Sequence, residues 1–193
     1  MSAGVLSGAI ALTFDDGPDP VWTPRVLAAL GRVGAEATFF VMAPEAMSHP
    51  HLVRGIRTAG HAVEFHCTRH LRHTECTEDQ IEADTGAGLR CLASLGVTPT
   101  RWRPPWGIQA PFTGQIAKRH RLSITGWTAD SHDWTGADAE SMLARIEPDL
   151  AHGGEILMHD GIGPGALRED CAETVRLVEA ISRHAIEHGL TLR

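Results

Sequence analysis

The sequence predicts an α/β protein built on a mostly parallel sheet. Short apolar runs alternate with amphipathic stretches along its 193 residues, which is the pattern of strands that alternate with helices. About seven strands and six helices are expected, and right-handed crossovers would give a sheet that is open or closed into a barrel. No linker, internal repeat or low-complexity tract interrupts the pattern, so a single domain is expected over residues 1–193.

The first half of the chain carries the clearest signals for individual elements. Thr23 and Pro24 are expected to begin the first helix, as N-cap and first residue, and Gly34 to end it. Thr77-Glu78-Asp79-Gln80 has the form of a capping box, and the helix that follows should stop at Gly96. Another helix is expected over about 45–58, and strands are expected at 9–14, 37–42 and 61–65.

The second half continues the alternation. Between Cys171 and His188, apolar residues recur at helical spacing, and Gly189 follows where a helix would end. Shorter helices are expected at 111–118 and 137–146. Strands are expected near 100–103, 122–129, 155–158 and 190–192.

Composition argues against several classes of protein. The formal net charge is −7 and the pI is about 5.9, so binding to nucleic acid is not expected. No run approaches the roughly 18 consecutive apolar residues of a transmembrane helix, so no membrane partner is expected. The N-terminus, Met1 to Gly8, lacks the basic and apolar regions of a secretory signal, which favours a cytoplasmic location unless a leader has been removed. The four cysteines form no C-x-x-C pair and are expected to be reduced thiols.

Two adjacent carboxylates mark the end of the first predicted strand. Asp15 and Asp16 stand between the apolar run and a Gly17-Pro18 turn, and functional groups collect at the carboxyl ends of strands in α/β folds. One carboxylate can face a metal ion there while the other faces the substrate. Taken alone, the pair is equally typical of turn chemistry, because aspartate favours the start of turns.

Histidine is abundant, with twelve copies, and imidazole is a frequent metal ligand. His66 and His70 follow the third predicted strand at a spacing that places both on one face of a helical turn. With Asp16 they make a three-ligand set that leaves coordination positions open for water and substrate. His73 is a competing ligand, although a fourth protein ligand would close the site.

Three further polar clusters follow predicted strands. Arg103 precedes two prolines that stiffen its loop, and Trp106-Gly107 suits a wall against which a sugar could lie. Asp130 and Asp133 belong to the next cluster, and His159 ends the strand of the last. A histidine such as His159 is, taken alone, more typical of a buried core residue. Five clusters are harder to explain separately, because strand ends converge on one mouth of an α/β sheet or barrel.

Together the clusters resemble the motifs of the polysaccharide deacetylase family, the NodB homology domain of carbohydrate esterase family 4. The resemblance extends from about Ala9 to the C-terminus, and all five motifs occur in the family's order. They are T-F-D-D-G-P at 13–18, H-x-x-x-H at 66–70, R-P-P-x-G at 103–107, D-x-x-D-W at 130–134 and L-x-H at 157–159. As a set they are highly specific, although H-x-x-x-H alone is not.

This resemblance implies a distorted, incomplete (β/α)7-type barrel that hydrolyses an N-acetyl group, or rarely an O-acetyl group, on a sugar. It implies that Asp16, His66 and His70 hold a divalent metal, usually Zn²⁺ in this family, with Co²⁺ or another ion as the alternative. Such an ion can lower the pKa of a bound water and polarise the acetyl carbonyl. The expected partner is therefore an acetylated sugar.

The resemblance also assigns roles to other motif residues. Asp15 would be the general base and His159 the general acid. Arg103 would hold Asp15 in place. Asp133 would orient His159, with Asp130 as the weaker candidate.

Three features depart from the family's usual pattern. Trp106, whose backbone N–H would help to hold the oxyanion, stands where Tyr is more usual. Cys67 replaces the Ser or Thr that usually follows the first metal histidine, and a thiol is a weaker hydrogen-bond donor to the surroundings of the metal. The segment before the first strand is short. Trp106 and the short N-terminal segment predict a substrate groove that differs in shape from that of other family members.

Other interpretations stay open beside the deacetylase. Relatives of this family cleave cyclic imides or ureides on the same fold. A sugar-binding module without catalysis would have lost a motif residue, and none is lost. A metal-storage or metal-sensing protein would cluster its histidines, whereas the nine other than His66, His70 and His159 are spread along the chain: His49, His51, His61, His73, His120, His132, His152, His184 and His188. The sequence does not determine the acetylated substrate, the native metal or the oligomeric state.

Overall fold

Eight parallel strands form one sheet in the computed structural model, which describes residues 8–193. In chain order the strands are β1 (Ala9–Asp15), β2 (Ala37–Met42), β3 (Ala62–Cys67), β4 (Arg101–Trp102), β5 (Ser123–Ile124), β6 (Ala129–Asp130), β7 (Gly154–His159) and β8 (Thr191–Leu192). Across the sheet their order is β5-β4-β3-β2-β1-β7-β6, and β8 pairs with the first residues of β1. The predicted α/β class with a parallel sheet is confirmed.

Seven α-helices lie within residues 8–193. They are α1 (Trp22–Val33), α2 (Ala43–Ser48), α3 (Pro50–Thr58), α4 (Glu78–Ser94), α5 (Thr113–Arg119), α6 (Ala139–Ile146) and α7 (Ala172–Glu187). Short 3₁₀ turns occur at His73–Glu75, Pro105–Gly107, Asp133–Thr135 and Glu147–Leu150. Apolar side chains of the longer helices and of the central strands share one hydrophobic core.

The sheet is a distorted, incomplete barrel, as the family resemblance implies. Its two edges, β5 and β6, follow each other in the chain with no helix between them, so the expected strict alternation fails here. The prediction of one strand over 122–129 is also wrong, because this segment supplies both edge strands. Its first part pairs with β4 and its last part with β7, on opposite edges of the sheet, and the residues between them cross the gap.

Pro50 divides the helix that the sequence predicts over about 45–58. α2 ends at Ser48 and α3 begins at Pro50, with the intervening His49 outside helical geometry at φ −127° and ψ 56°. Proline lacks the N–H that an interior helical residue donates, and it disfavours helical geometry for the residue before it. It suits the first position of a new helix instead.

The first helix begins two residues earlier than predicted, at Trp22 instead of Pro24. Trp22 opens α1, and Thr23, the expected N-cap, is its second residue. The carboxylate of Asp19 accepts the N–H groups of Val21 and Trp22 at 2.7 and 2.8 Å. The Thr23 hydroxyl instead donates to the carboxylate of Asp160, near the end of β7. An aspartate in the turn therefore satisfies the helix start, and the threonine makes a tertiary contact.

Other local signals are confirmed. In the capping box, Thr77 Oγ1 accepts the Gln80 N–H at 3.3 Å and Gln80 Oε1 accepts the Thr77 N–H at 2.8 Å. Gly34 ends α1 in the left-handed conformation, with φ 65°. All four cysteines lie within the described residues and are free thiols.

β1 shows how the fold delivers polar groups to one end of the barrel. Ile10, Leu12 and Phe14 are almost fully buried in the hydrophobic core. Successive side chains of a strand point to opposite faces, so Thr13 and Asp15 lie on the other side of the sheet. Both contact the same buried arginine there. The barrel interior is therefore polar where β1 ends.

Within residues 8–193, none of the helices combines the length and the hydropathy that crossing a bilayer requires. The prediction that the chain carries no secretory signal concerns residues 1–8, of which 1–7 lie outside the described residues.

Candidate active site

A cavity of about 350 Å³ opens at the carboxyl ends of the central strands. The register of β1 and β7 pairs Asp15 with His159. Neighbouring strands are about 4.8 Å apart, so these two side chains enter the cavity beside each other. The predicted site residues that line the cavity are Asp15, Asp16, His66, His70, Trp106, Asp130 and His159.

Asp16, His66 and His70 converge on one point of this cavity. Oδ1 of Asp16 lies 3.3 Å from Nε2 of His66 and 3.4 Å from Nε2 of His70. Ligand atoms at about 2.0–2.1 Å from a tetrahedral zinc ion are roughly 3.4 Å from one another. Both distances therefore match those of a ligand set, and all three donor atoms lie within 4.8 Å of one another.

The surroundings of the three residues fit a divalent metal. Oδ1 of Asp16 is buried and accepts no hydrogen bond from any residue in the described range 8–193. Nδ1 of His66 donates to the carbonyl oxygen of Arg103 at 2.6 Å, which leaves Nε2 facing Asp16. A buried carboxylate oxygen without a donor is costly, and a cation would compensate for it. One oxygen and two imidazole nitrogens suit zinc or a similar ion.

The same histidines keep Asp16 ionised. Burial by itself would raise the pKa of Asp16, but the rings of His66 and His70 outweigh burial and hold that pKa far below its usual range. Asp16 is therefore an anion at neutral pH, which is the form that binds a cation.

The loop after β7 packs against Asp16. The backbone of Asp16 has a φ of 71°, in the left-handed region that aspartate tolerates better than most residues. A Cβ atom at Gly163 would collide with the Asp16 carboxylate, and one at Gly161 would come within 2.6 Å of the Asp16 carbonyl oxygen. Two glycines therefore allow this loop to lie directly on the carboxylate.

His66 and His70 do not share a helical turn, so that prediction is wrong. β3 continues beyond His66, and His70 follows in the loop after the strand. Asp84 of α4 holds this loop, because its carboxylate accepts the N–H of Thr68 at 3.1 Å and that of Arg69 at 3.0 Å. A turn fixed by a distant helix thus places the two rings with their centroids 5.2 Å apart.

Arg103 is fully buried and contacts Asp15 directly. Its Nη1 donates to Oδ1 of Asp15 at 2.8 Å and to the hydroxyl of Thr13 at 2.7 Å. Its Nη2 donates to Oε1 of Glu155 at 2.7 Å and to the carbonyl oxygen of Gly126 at 2.8 Å. The guanidinium therefore lies between two carboxylates and fixes the orientation of Asp15.

Asp133, rather than Asp130, contacts His159. Oδ1 of Asp133 lies 2.7 Å from Nδ1 of His159, and its Oδ2 accepts the backbone N–H of His159 at 2.9 Å. Asp130 lines the cavity and accepts the N–H of His132 instead. The structure therefore brings the second aspartate of the D-x-x-D-W motif to the histidine.

This contact keeps both partners charged. Burial would lower the pKa of His159, but Asp133 outweighs burial and raises that pKa to about 9. Burial would likewise raise the pKa of Asp133, and the charges of His159 and Arg168 lower it to about 2. At neutral pH the pair is an imidazolium beside a carboxylate.

Arg168 and Thr174 complete the surroundings of Asp133, and the sequence motifs include neither. Oδ2 of Asp133 accepts Nη1 of Arg168 at 2.9 Å and the hydroxyl of Thr174 at 2.7 Å. Nη2 of Arg168 donates to the carbonyl oxygens of His159 and Gly161 at 3.0 and 3.2 Å. Arginine is mostly solvated in proteins, so the sequence contains no local signal for this buried contact.

Glu155 and Arg101 were also missed at the level of sequence. Nη2 of Arg101 donates to both carboxylate oxygens of Glu155, at 2.7 and 2.9 Å, and Glu155 in turn accepts Arg103. A signal was present, because each is a charged residue in or beside a predicted strand. A charge at such a position needs a partner.

Trp106 lies at the wall of the cavity with 37% of its surface exposed. Its indole packs edge-on against His70 at a centroid separation of 4.1 Å, and the guanidinium carbon of Arg72 lies 4.3 Å from its ring centroid. In the part of the chain that the structure describes, the backbone N–H of Trp106 has no acceptor. It can therefore donate to a bound molecule.

His73 and Cys67 are buried nearby but do not belong to the three-ligand group. Nδ1 of His73 lies 2.9 Å from the hydroxyl of Thr113, and burial lowers the pKa of His73 to about 4. Burial also raises the pKa of the Cys67 thiol. Both side chains are therefore uncharged at neutral pH.

A family model described as polysaccharide deacetylase matches residues 5–125, which include the first three motifs. The chain belongs to the polysaccharide deacetylase family. The family that the sequence motifs predict is thereby confirmed. The remaining two motifs of this polysaccharide deacetylase lie beyond the matched range, and the structure brings His159 to the same cavity, with Asp133 in contact with it.

Known relatives of this polysaccharide deacetylase align over most of the chain. A peptidoglycan-N-acetylglucosamine deacetylase of Bacillus cereus is 32% identical over 154 residues, which are 79% of this chain and 72% of the relative. A chitooligosaccharide deacetylase of Sinorhizobium fredii is 32% identical over 188 residues, which are 94% of this chain and 86% of the relative. The solved structure of a family 4 carbohydrate esterase from Streptomyces lividans in complex with acetate has a TM-score of 0.85 and 30% identity, with 96% of this chain and 91% of that chain covered.

Proposed function

We propose that this polysaccharide deacetylase hydrolyses the N-acetyl group of an amino sugar with the help of a divalent metal. One observation supports this more than any other. Asp15 and His159, a carboxylate and an imidazolium, are paired across neighbouring strands beside the group formed by Asp16, His66 and His70. Amide hydrolysis needs a proton acceptor for water and a proton donor for the departing amine, and these two side chains supply both.

The names of the relatives support the class of substrate. One relative is a peptidoglycan-N-acetylglucosamine deacetylase and another a chitooligosaccharide deacetylase, and the Streptomyces lividans esterase was solved with acetate. All of these names concern acetyl groups or acetylated sugars. We therefore assign an acetylated amino sugar to the cavity as its substrate, either free or within an oligosaccharide.

Asp16, His66 and His70 would hold the metal, and their one oxygen and two nitrogens favour Zn²⁺, with Co²⁺ as an alternative. Such an ion supplies a Lewis acid and a water of lowered pKa. Three protein ligands leave positions open at the ion. The chain's own residues then perform the proton transfers.

Asp15 is the proposed general base. Oδ1 of its carboxylate is held by Arg103 at 2.8 Å, so the other oxygen is the one that takes a proton from the attacking water. Glu155 shares the charge of Arg103, at 2.7 Å, and limits how strongly the guanidinium holds Asp15.

His159 is the proposed general acid. It must carry a proton when the C–N bond breaks, and Asp133 keeps it protonated because it raises the His159 pKa to about 9. The proton passes from the ring to the departing amine nitrogen, and the carboxylate of Asp133 stays ionised throughout. Nδ1 of His159 faces Asp133 at 2.7 Å, so Nε2 is the atom that donates.

Trp106 contributes at the wall of the cavity. Its backbone N–H, which has no acceptor within residues 8–193, would donate to the oxygen of the acetyl group as negative charge develops there. Its exposed indole offers an apolar surface to a sugar ring.

The test is mass spectrometry of a panel of substrates after incubation with the purified chain. The panel contains chitooligosaccharides, peptidoglycan fragments, a monomeric N-acetyl amino sugar, an O-acetylated sugar and a cyclic imide. Loss of acetyl from an N-acetylated member supports the proposal, whereas cleavage of the imide or the O-acetyl ester alone would overturn it. Removal of metal with a chelator should abolish the reaction, and added zinc or cobalt should restore it. Full turnover by a metal-free sample would exclude the metal.

A further inference from the structure

A second group of metal-ligating side chains lies at the opposite end of the sheet from the cavity. His184 is in the last turn of α7, His188 follows that helix, and Glu147 begins the 3₁₀ turn after α6. That turn leads to the start of β7, and the chain after His188 leads to β8, which pairs with the start of β1. The cavity is at the far ends of β1 and β7, about 20 Å along the strands.

The three side chains offer donor atoms at metal-site separations. One donor atom from each lies within 4.8 Å of the other two. Nδ1 of His184 is 3.5 Å from Oε1 of Glu147, close to the roughly 3.4 Å between ligands of a tetrahedral zinc ion and long for a charge-assisted hydrogen bond. His184 and His188 are four residues apart and share a helix face, and their rings stack with centroids 4.1 Å apart.

Packing fixes the ring of His184, and a hydrogen bond fixes the ring of His188. His184 is only 6% exposed, so its neighbours set the orientation of its ring. Nδ1 of His188 donates to the carbonyl oxygen of His184 at 2.9 Å, which leaves the lone pair of Nε2 for a cation. Glu147 is half-exposed and brings the negative charge that offsets that of a divalent ion.

We propose that Glu147, His184 and His188 form a second divalent-metal site, for Zn²⁺ or another ion that binds imidazole, such as Co²⁺ or Ni²⁺. The ion would connect the turn after α6 to the end of α7 and stabilise the folded chain. The site takes no part in deacetylation, because it lies at the other end of the sheet. The competing interpretation is that the histidines interact only with the carboxyl end of α7, which requires no metal.

Metal content distinguishes the two interpretations. Wild type, His188→Ala, Glu147→Gln and His51→Ala are dialysed against Zn²⁺ and analysed by elemental mass spectrometry. His51→Ala is the matched control, since its ring lies 6.2 Å from that of His49 but the pair belongs to no three-ligand group within residues 8–193. Wild type and His51→Ala are expected to bind two ions per chain, and His188→Ala and Glu147→Gln to lose one. The same ion content in wild type and His188→Ala would overturn the proposal.

Thermal unfolding gives a second readout that does not depend on activity. In His66→Ala, which lacks a ligand in the cavity, Zn²⁺ should still raise the Tm, because a cation bound to the folded state stabilises it. The double variant His66→Ala, His188→Ala should lose this shift. A zinc response that survives in the double variant contradicts the site. His188→Ala alone should deacetylate as wild type does, and a loss of rate would show that the two ends of the sheet are not independent.

Discussion

Asp16 and Asp133 are both buried aspartates beside histidine, but their hydrogen bonding is opposite. Oδ1 of Asp16 accepts no hydrogen bond within residues 8–193, whereas the oxygens of Asp133 accept from His159, Arg168 and Thr174. A buried carboxylate that lacks donors is stable only when a cation replaces them. A carboxylate with all its donors keeps a fixed charge and geometry.

This contrast divides the cavity into two functional halves. Beside β1 and β3, the protein leaves a carboxylate oxygen and two ring nitrogens directed at one point, which suits the gain of a ligand. Beside β7, it surrounds a carboxylate so that the neighbouring imidazole keeps its proton. Substitutions in the first half should therefore affect metal binding, and substitutions in the second half should affect proton transfer.

The largest expected effect separates chemistry from metal binding. His159→Ala and Asp15→Asn should each lower kcat by about 10²–10⁴, since each removes a proton-transfer group, while the bound zinc stays at the wild-type level. Asp16→Asn should lose metal and activity together. Steady-state kinetics and elemental analysis of the same samples measure both properties. Near-wild-type turnover in either of the first two variants would refute the assigned roles.

A second substitution tests whether Asp133 sets the charge on the imidazole of His159. Asp133→Asn removes the carboxylate that raises the His159 pKa to about 9, so this pKa should fall towards about 6.5. The proposed role of His159 as general acid requires its protonated form, so the alkaline limb of the rate profile should move to lower pH by the same amount. An unchanged alkaline limb would show that another group sets it.

The same pair predicts how stability depends on pH. The folded-state pKa of His159 is raised, so its stabilising contribution is complete below about pH 6.5 and is lost as the pH rises through about 9. The Asp133 pKa is lowered, so its contribution is lost only as the pH falls through about 2. Chemical denaturation should therefore show the greatest difference between wild type and Asp133→Asn between pH 3.8 and 6.5, the ordinary pKa values of the two groups, where both contributions are complete.

The smallest expected effect concerns the loop over the metal ligand. Gly163→Ala places a methyl group against the Asp16 carboxylate and should weaken zinc binding by roughly tenfold, as changes beside metal ligands commonly do. Gly114→Ala in α5 is the matched control, because a Cβ atom there meets nothing within 4 Å. Competition titrations with a zinc-binding dye measure both affinities. Equal affinities would mean that the loop moves away from Asp16 without cost.

Sequence reasoning succeeded where the signal is local. The motif residues and most element boundaries depend on neighbours in the chain, such as the capping box at Thr77 or the glycine after α1. It failed where distant segments decide the outcome. Asp84 fixes the loop between His66 and His70, and Arg168 reaches Asp133 across 35 positions of the chain. The spacing of His184 and His188 was visible, but the approach of Glu147 was not.

The pairing of Asp15 with His159 has a consequence for how the enzyme fails on heating. Both side chains belong to strands that pair with a neighbour on each side, and a slip of one residue would turn either of them to the helix-covered face. The proton-transfer groups therefore cannot separate unless the most protected part of the fold opens. Thermal inactivation and global melting should occur as one event.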